Sequence, residues 1–152
     1  MKKLTVLAAI AVLTAVCASA QSKENLLAEK GYVGAVGGGV SSDVGFGAEV
    51  FTSHGYSFGN GLWMGGGIGL SLPSAGTFMQ LYTGAKYTFM PEDKVSPFLS
   101  GKIGIMTTFE DNIAMFNPAF GVDLSKFSIY SSVNFWLLGY RTYSVGFYWN
   151  FK

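Results

Sequence analysis

Residues 140–152 read Tyr-Arg-Thr-Tyr-Ser-Val-Gly-Phe-Tyr-Trp-Asn-Phe-Lys. Every second side chain in this stretch is large and apolar: Tyr143, Val145, Phe147, Trp149 and Phe151. The side chains between them are small or polar. Because successive side chains of a β-strand point to opposite faces, the alternation predicts a strand with one apolar face. Only a bilayer, a partner or a protein core can cover such a face.

Similar alternating runs follow one another from residue 31 to the end of the chain, separated by turn-forming residues such as Gly59-Asn60-Gly61. A transmembrane strand needs roughly 9 to 11 residues. The runs therefore predict eight antiparallel strands joined as hairpins, and an even number lets the last strand pair with the first. The predicted strands cover residues 31–41, 44–57, 62–72, 77–90, 96–108, 112–123, 127–137 and 141–151.

The alternation also predicts which face of each strand meets lipid. In the second, fourth, sixth and seventh strands the polar set consists mostly of Gly, Ser, Asn and Gln, with few charges. Such a set suits a narrow barrel interior, whereas a water-facing set would be rich in Lys and Glu. We therefore expect the apolar sets to face outward. One edge of the outer face would then carry a girdle of aromatic residues, namely Tyr56, Phe58, Tyr87, Phe89, Phe127, Trp149 and Phe151.

Glycine is frequent in the middle of the strands. It leaves the faces of the first strand unassigned. At Gly37-Gly38-Gly39 and Gly65-Gly66-Gly67 the missing side chains are expected to make room for Trp63, Tyr82 and Tyr130 inside the barrel.

The first twenty residues have the pattern of a secretory signal peptide: a basic start, a short apolar run and Ala18-Ser19-Ala20. We expect cleavage between Ala20 and Gln21. Residues 21–30 would form a short periplasmic leader, and residues 31–152 one barrel domain without cysteine. The chain lacks the concentrated basic face that nucleic-acid binding requires.

The aromatic closing strand and the even set of short strands resemble the small outer membrane β-barrel family that includes OmpX and the barrel domain of OmpA. This resemblance implies an all-β, eight-stranded antiparallel up-and-down transmembrane barrel in the bacterial outer membrane. It implies outer membrane lipids and the barrel-assembly machinery as partners of a monomer. Phe147, Trp149 and Phe151 would be the assembly signal, although in the family the aromatic residue ends the chain, whereas here Lys152 follows it.

Four charged residues are expected to point into the barrel: Glu49, Lys86, Lys102 and Asp123. An isolated buried charge is costly, so we expect Glu49 to pair with Lys86 or Lys102, and Asp123 with Lys102. The network would act as a plug, because eight strands leave an interior that side chains just fill. A charge gate or a narrow ion path is the alternative.

His54 is the only histidine of the chain, and with Ser53 it raises the possibility of a lipid hydrolase. Adjacent strand residues point to opposite faces, so the two cannot meet, and we expect His54 to be an interfacial residue. We predict no catalytic residue, no cofactor and no metal site.

Three functions are compatible with these patterns. The first is a non-enzymatic structural or surface-interaction barrel, although the turns near Asp43, Ser74, Glu110 and Gly139 are too short to offer much binding surface. The second is a lipid-modifying enzyme, which would bring a serine or a carboxylate beside His54 across strands. The third is a soluble, lipocalin-like ligand-binding barrel, which would have an empty apolar interior.

Overall fold

The computed structural model describes residues 26–42, 46–72, 76–107, 111–137, 139 and 141–152. These residues form a closed antiparallel barrel in which consecutive strands pair and β8 pairs with β1. The predicted number and order of strands are confirmed, and every predicted strand end lies within two residues of the observed one. The strands are β1 (Lys30–Ser42), β2 (Phe46–Phe58), β3 (Leu62–Leu72), β4 (Phe78–Thr88), β5 (Ser96–Thr107), β6 (Asn112–Leu124), β7 (Phe127–Trp136) and β8 (Arg141–Phe151).

The strands are staggered around the barrel. A path of directly paired residues that leaves β4 at Phe78 and passes through β3, β2, β1, β8, β7, β6 and β5 returns to β4 at Thr88, ten residues further along. Such a stagger requires strands that tilt against the barrel axis. It also decides which inward side chains lie at the same depth, a point that the sequence alone does not show.

The outer face is apolar and the inner face is largely polar. Outward side chains such as Val36 and Phe120 are 53% and 65% exposed, whereas the inward Ser57 and Ser128 are fully buried. This confirms the predicted faces of the second, fourth, sixth and seventh strands for the residues that the structure describes. The faces of β1 are now assigned as well, with Tyr32, Val36 and Val40 outward and Val33 and Ala35 inward.

The predicted aromatic girdle lies at the end of the barrel where β1 begins and β8 ends, which we call the terminal end. Tyr56 packs edge to face on Phe58, Tyr87 does the same on Phe89, and Phe127 contacts Trp149. The paired partners of these residues place all of them at the same end. Phe151 belongs to this end too, but it is partly buried.

The described part of the predicted leader packs against the terminal end. Leu26–Ala28 forms one 3-10 turn, in which Leu26 and Leu27 are buried against Val33 and Trp63. The Ser57 hydroxyl donates a hydrogen bond to the Leu27 carbonyl at 3.2 Å. The leader thus closes part of the barrel end.

Several predictions lie outside the described residues. They are the signal peptide over residues 1–20, its cleavage between Ala20 and Gln21, and the turn residues Asp43, Ser74 and Glu110. Within the described ranges no helix is long and apolar enough to cross a membrane.

Candidate functional site

The candidate site is the barrel interior. Each of the four charged residues expected there occupies an inward position: Glu49 on β2, Lys86 on β4, Lys102 on β5 and Asp123 on β6. Lys86 and Asp123 are buried, and Glu49 and Lys102 are partly buried. They form two groups at different depths in the barrel. In each group the charged residues have other partners than expected.

The first group surrounds Asp123 near the terminal end. Its carboxylate accepts three hydrogen bonds, from Lys86 Nζ at 2.6 Å, Thr88 Oγ1 at 2.7 Å and Ser128 Oγ at 2.6 Å. The Asn150 amide donates to Ser128 Oγ at 3.1 Å and so connects β8 to the group. A buried carboxylate is tolerated when a cation and further donors satisfy it, and Asp123 has both.

The second group contains Glu49 and Lys102. Glu49 Oε1 accepts a hydrogen bond from the Tyr130 hydroxyl at 2.6 Å. Lys102 Nζ lies 4.2 Å from the ring centroid of Phe51 and 4.6 Å from that of Tyr82. Among the described residues no carboxylate oxygen lies within 4.0 Å of Lys102 Nζ.

The pairing of charges therefore differs from the expected one. Asp123 pairs with Lys86 and not with Lys102, and Glu49 pairs with a tyrosine and not with a lysine. The stagger explains the difference for Asp123, because Asp123 lies opposite Ser96 on β5. Lys102 is six residues further along β5, roughly 20 Å at the usual rise of a strand, which is beyond the reach of a lysine side chain.

Aromatic rings fill the middle of the barrel. Tyr148 contacts Phe51, Phe98 and Tyr130, with ring centroids 6.2, 6.1 and 5.9 Å away. Lys86 Nζ lies over two of these rings, 4.3 Å from the Phe98 centroid and 4.9 Å from that of Tyr148. Rings and lysines together leave a cavity of about 60 Å³.

Glycines allow the rings this close to the barrel wall, as expected. A Cβ at Gly146 would lie 2.6 Å from the Tyr130 hydroxyl oxygen, and one at Gly67 would lie 2.6 Å from that of Tyr82. Trp63 occupies the space over Gly65 in the same way. Parity alone could have found the inward rings of Phe51, Phe98 and Tyr148, but their mutual contacts required the register.

His54 lies on the outer face of β2, hydrogen-bonded to two other side chains. Its Nδ1 is 2.5 Å from the Tyr32 hydroxyl and its Nε2 is 3.0 Å from Thr52 Oγ1. The Thr52 hydroxyl donates to the Ala35 carbonyl at 3.1 Å, so Thr52 accepts from Nε2–H and Nδ1 accepts from Tyr32. Ser53 points inward and bonds the Tyr82 hydroxyl at 2.7 Å, on the opposite side of the sheet.

Sequence reasoning did not find the two partners of His54. Thr52 lies two residues before His54 on the same strand, so the alternation of side chains already places both on one face. Tyr32 reaches His54 from β1, where Gly34 pairs with His54, and only the register reveals that neighbour. In the part of the chain that the structure describes, neither a serine nor a carboxylate bonds His54.

The expected assembly residues lie along the outer face of β8. The Phe127 ring packs against Phe147 and Trp149, with centroids 5.5 and 6.4 Å away. Phe151 instead leans towards β1 and contacts the His54 ring edge to face at 6.1 Å. Lys152 Nζ forms an ion pair with the Glu29 carboxylate.

Solved structures of small outer membrane barrels have this fold. The N-terminal β-barrel domain of Pseudomonas aeruginosa OprF is 14% identical, with a TM-score of 0.58 over 81% of this chain and 100% of that chain. Neisserial surface protein A is 13% identical, with a TM-score of 0.60 over 80% and 96%. The outer membrane enzyme PagL is 12% identical, with a TM-score of 0.56 over 79% and 99%.

No protein-family model and no curated protein matches the sequence. The chain thus has the fold of the small eight-stranded outer membrane β-barrels, as the resemblance implied. These similar structures include an enzyme, so the fold does not decide the role.

Proposed function

We propose that this protein is a non-enzymatic outer membrane barrel with a closed interior and a structural or surface-interaction role. The observation that carries the proposal is the Lys86–Asp123 ion pair, enclosed by Thr88, Ser128 and the rings of Phe98 and Tyr148. These groups satisfy one another, which is the property expected of a plug.

The membrane location rests on the outer face. Large apolar side chains cover it on every strand, for example Leu81 at 54% and Val145 at 55% exposure. Soluble proteins rarely expose an apolar surface of this extent to water, so outer membrane lipids are the proposed surroundings. The polar, filled interior argues against a soluble ligand-binding barrel, whose apolar side chains would face a central ligand.

Insertion into the membrane is proposed to depend on the aromatic residues of the closing strand, β8. Phe147, Trp149 and Phe151 would be read by the barrel-assembly machinery, and the closed sheet would then reside in the membrane as a monomer. The closed sheet supports insertion as a complete barrel, because an open sheet edge in lipid leaves backbone groups without partners.

One observation favours a second candidate, a lipid acyl hydrolase. Thr52 Oγ1 and His54 Nε2 are 3.0 Å apart on the outer face, a distance at which a histidine can deprotonate a hydroxyl. The Thr52 proton, however, is directed to the Ala35 carbonyl, and the third group is the phenol of Tyr32 instead of a carboxylate. The non-enzymatic role is therefore preferred.

Two measurements test the preferred function. The protein should fractionate with the outer membrane and migrate differently on gels before and after heating. In planar bilayers it should show little conductance. Recovery as a soluble protein without detergent would contradict the membrane location, and large steady currents would contradict the plug.

A further inference from the structure

We infer that Lys102 and the cavity beside it form a binding site for one small monovalent anion of halide size. The inference rests on the proposed function only in treating the chain as a membrane barrel. The chemistry of the site does not depend on the membrane location. The starting point of the inference is the contrast between the two interior lysines. Lys86 has a carboxylate partner at 2.6 Å, whereas Lys102 is surrounded by rings.

The two rings satisfy the Lys102 ammonium only in part. Cation–π contact with Phe51 and Tyr82 stabilises the charge, but it does not neutralise it or accept its N–H groups as an oxygen does. A partly buried ammonium is stabilised further by an anionic or hydrogen-bonding partner. Among the described residues, no carboxylate oxygen lies within 4.0 Å of this ammonium, and Glu49 acts on it only over a longer distance.

The interior acids are already engaged elsewhere. Asp123 accepts three hydrogen bonds near the terminal end, at a different depth from Lys102. Glu49 is held by the Tyr130 hydroxyl at 2.6 Å. Each acid has a strong partner, so an anion from solution can complete the surroundings of Lys102 without breaking either contact.

The cavity has the size and lining for such an anion. Its volume of about 60 Å³ is several times what one water molecule needs, but far below what an acyl chain needs. Lys102 and Lys86 line it together with the polar residues Ser100 and Asn117. One Asn117 N–H bonds Asn134 at 2.6 Å, which leaves the second as a donor. The lining thus contains two lysines, of which Lys86 is already paired with Asp123, and two neutral polar residues beside Lys102.

Bromide is a suitable probe because its anomalous scattering identifies it in crystals. The full chain should be crystallised from bromide, and its thermal unfolding should be measured in sodium bromide and in sodium gluconate at equal ionic strength. Gluconate is too large for the cavity. We expect an anomalous peak in direct contact with Lys102 Nζ, and an unfolding midpoint that rises with the logarithm of the bromide concentration once this exceeds the Kd.

Variants separate the site from general salt effects. Lys102→Gln should abolish both the peak and the bromide-dependent rise, whereas Lys94→Gln, which removes an exposed charge in the β4–β5 turn, should leave both unchanged. Glu49→Gln should strengthen bromide binding because it removes a negative charge from the interior. Should Lys102→Gln fail to fold, the wild-type crystal and Glu49→Gln still provide the test.

Three results would overturn the inference. They are water alone beside Lys102 in the bromide crystal, bromide at surface positions only, and a bromide-dependent rise that persists in Lys102→Gln. Each is distinct from a failure of the proposed function, because a conducting or an enzymatic barrel could still hold this anion.

Discussion

The Phe151 ring lies directly over Gly34, so closely that a Cβ at Gly34 would come within 2.5 Å of the ring. Gly34 is on β1 and Phe151 ends β8, and the two residues are direct partners across the seam that closes the barrel. The same ring contacts His54 on β2, whose Nδ1 bonds Tyr32. The seam is therefore held on its outer face by side chains from three consecutive strands of the closed sheet.

The first prediction concerns the glycine of this seam. Gly34→Val should lower the amount of heat-modifiable barrel in the outer membrane, because the new side chain occupies the place of the Phe151 ring. The matched control is Gly101→Val on the outer face of β5, where a Cβ meets only the Phe116 ring at 3.8 Å. Equal yields of the two variants would show that the packing over Gly34 is unimportant for closure.

The second prediction separates the ring from the charge that follows it. Phe151→Ala should impair insertion because the seam loses its contacts with Gly34 and His54. Lys152→Ala should be tolerated, since the exposed ion pair with Glu29 contributes at most about 1 kcal/mol. Outer membrane levels of the two variants provide the measurement, and normal insertion of Phe151→Ala would remove this residue from the proposed assembly signal.

The third prediction concerns the interior ion pair. Lys86→Met should lower the free energy of unfolding by about 3 to 5 kcal/mol, because the buried Asp123 carboxylate loses its cation. Lys102→Met should cost less, since it leaves no carboxylate without its hydrogen-bonded partner. Urea unfolding in lipid vesicles measures both values.

The double variant Lys86→Met with Asp123→Leu is the control for that comparison. It removes both charges together, so it should be more stable than Lys86→Met alone. A larger loss for Lys102→Met than for Lys86→Met would mean that the interior is organised around Lys102.

The fourth prediction concerns the plug. Replacing Phe51 and Tyr148 together by alanine should enlarge the central cavity and raise the bilayer conductance above that of the wild type, because these rings contact each other across the interior. Replacing the outward Phe116 and Phe120 by alanine removes two rings from the lipid face and should leave conductance unchanged. An unaltered conductance in the interior variant would mean that residues other than Phe51 and Tyr148 block ion flow through the barrel.

The fifth prediction addresses the second candidate function. The wild type should release no fatty acid from phospholipid vesicles, and Thr52→Val should behave in the same way. An acyl-hydrolase activity that disappears in both Thr52→Val and His54→Phe, while Ser53→Ala retains it, would instead establish a catalytic role for the outer face. Ser53 is the suitable control because it points into the barrel.

The alternation of apolar and polar residues in the sequence was sufficient to predict the strands and the faces of most of them. Residues 143–151 predict their own outward and inward sets, because the side-chain period of a strand is two and independent of its partners. The same rule places Ser53 and His54 on opposite faces of the sheet. It did not work for β1, where glycines carry no side-chain signal, and there only pairing with β2 and β8 showed that Val33 and Ala35 face inward.

Contacts between strands were decided by the tertiary structure. Parity placed Asp123 and Lys102 on the inner face, but the stagger of ten residues around the barrel separates them in depth and brings Lys86 to Asp123 instead. The Tyr32–His54 bond and the Phe151–Gly34 contact depend on register in the same way. Sequence determines the direction of each side chain because direction is a local property of the strand, whereas depth in a closed barrel is set only when all eight strands are paired.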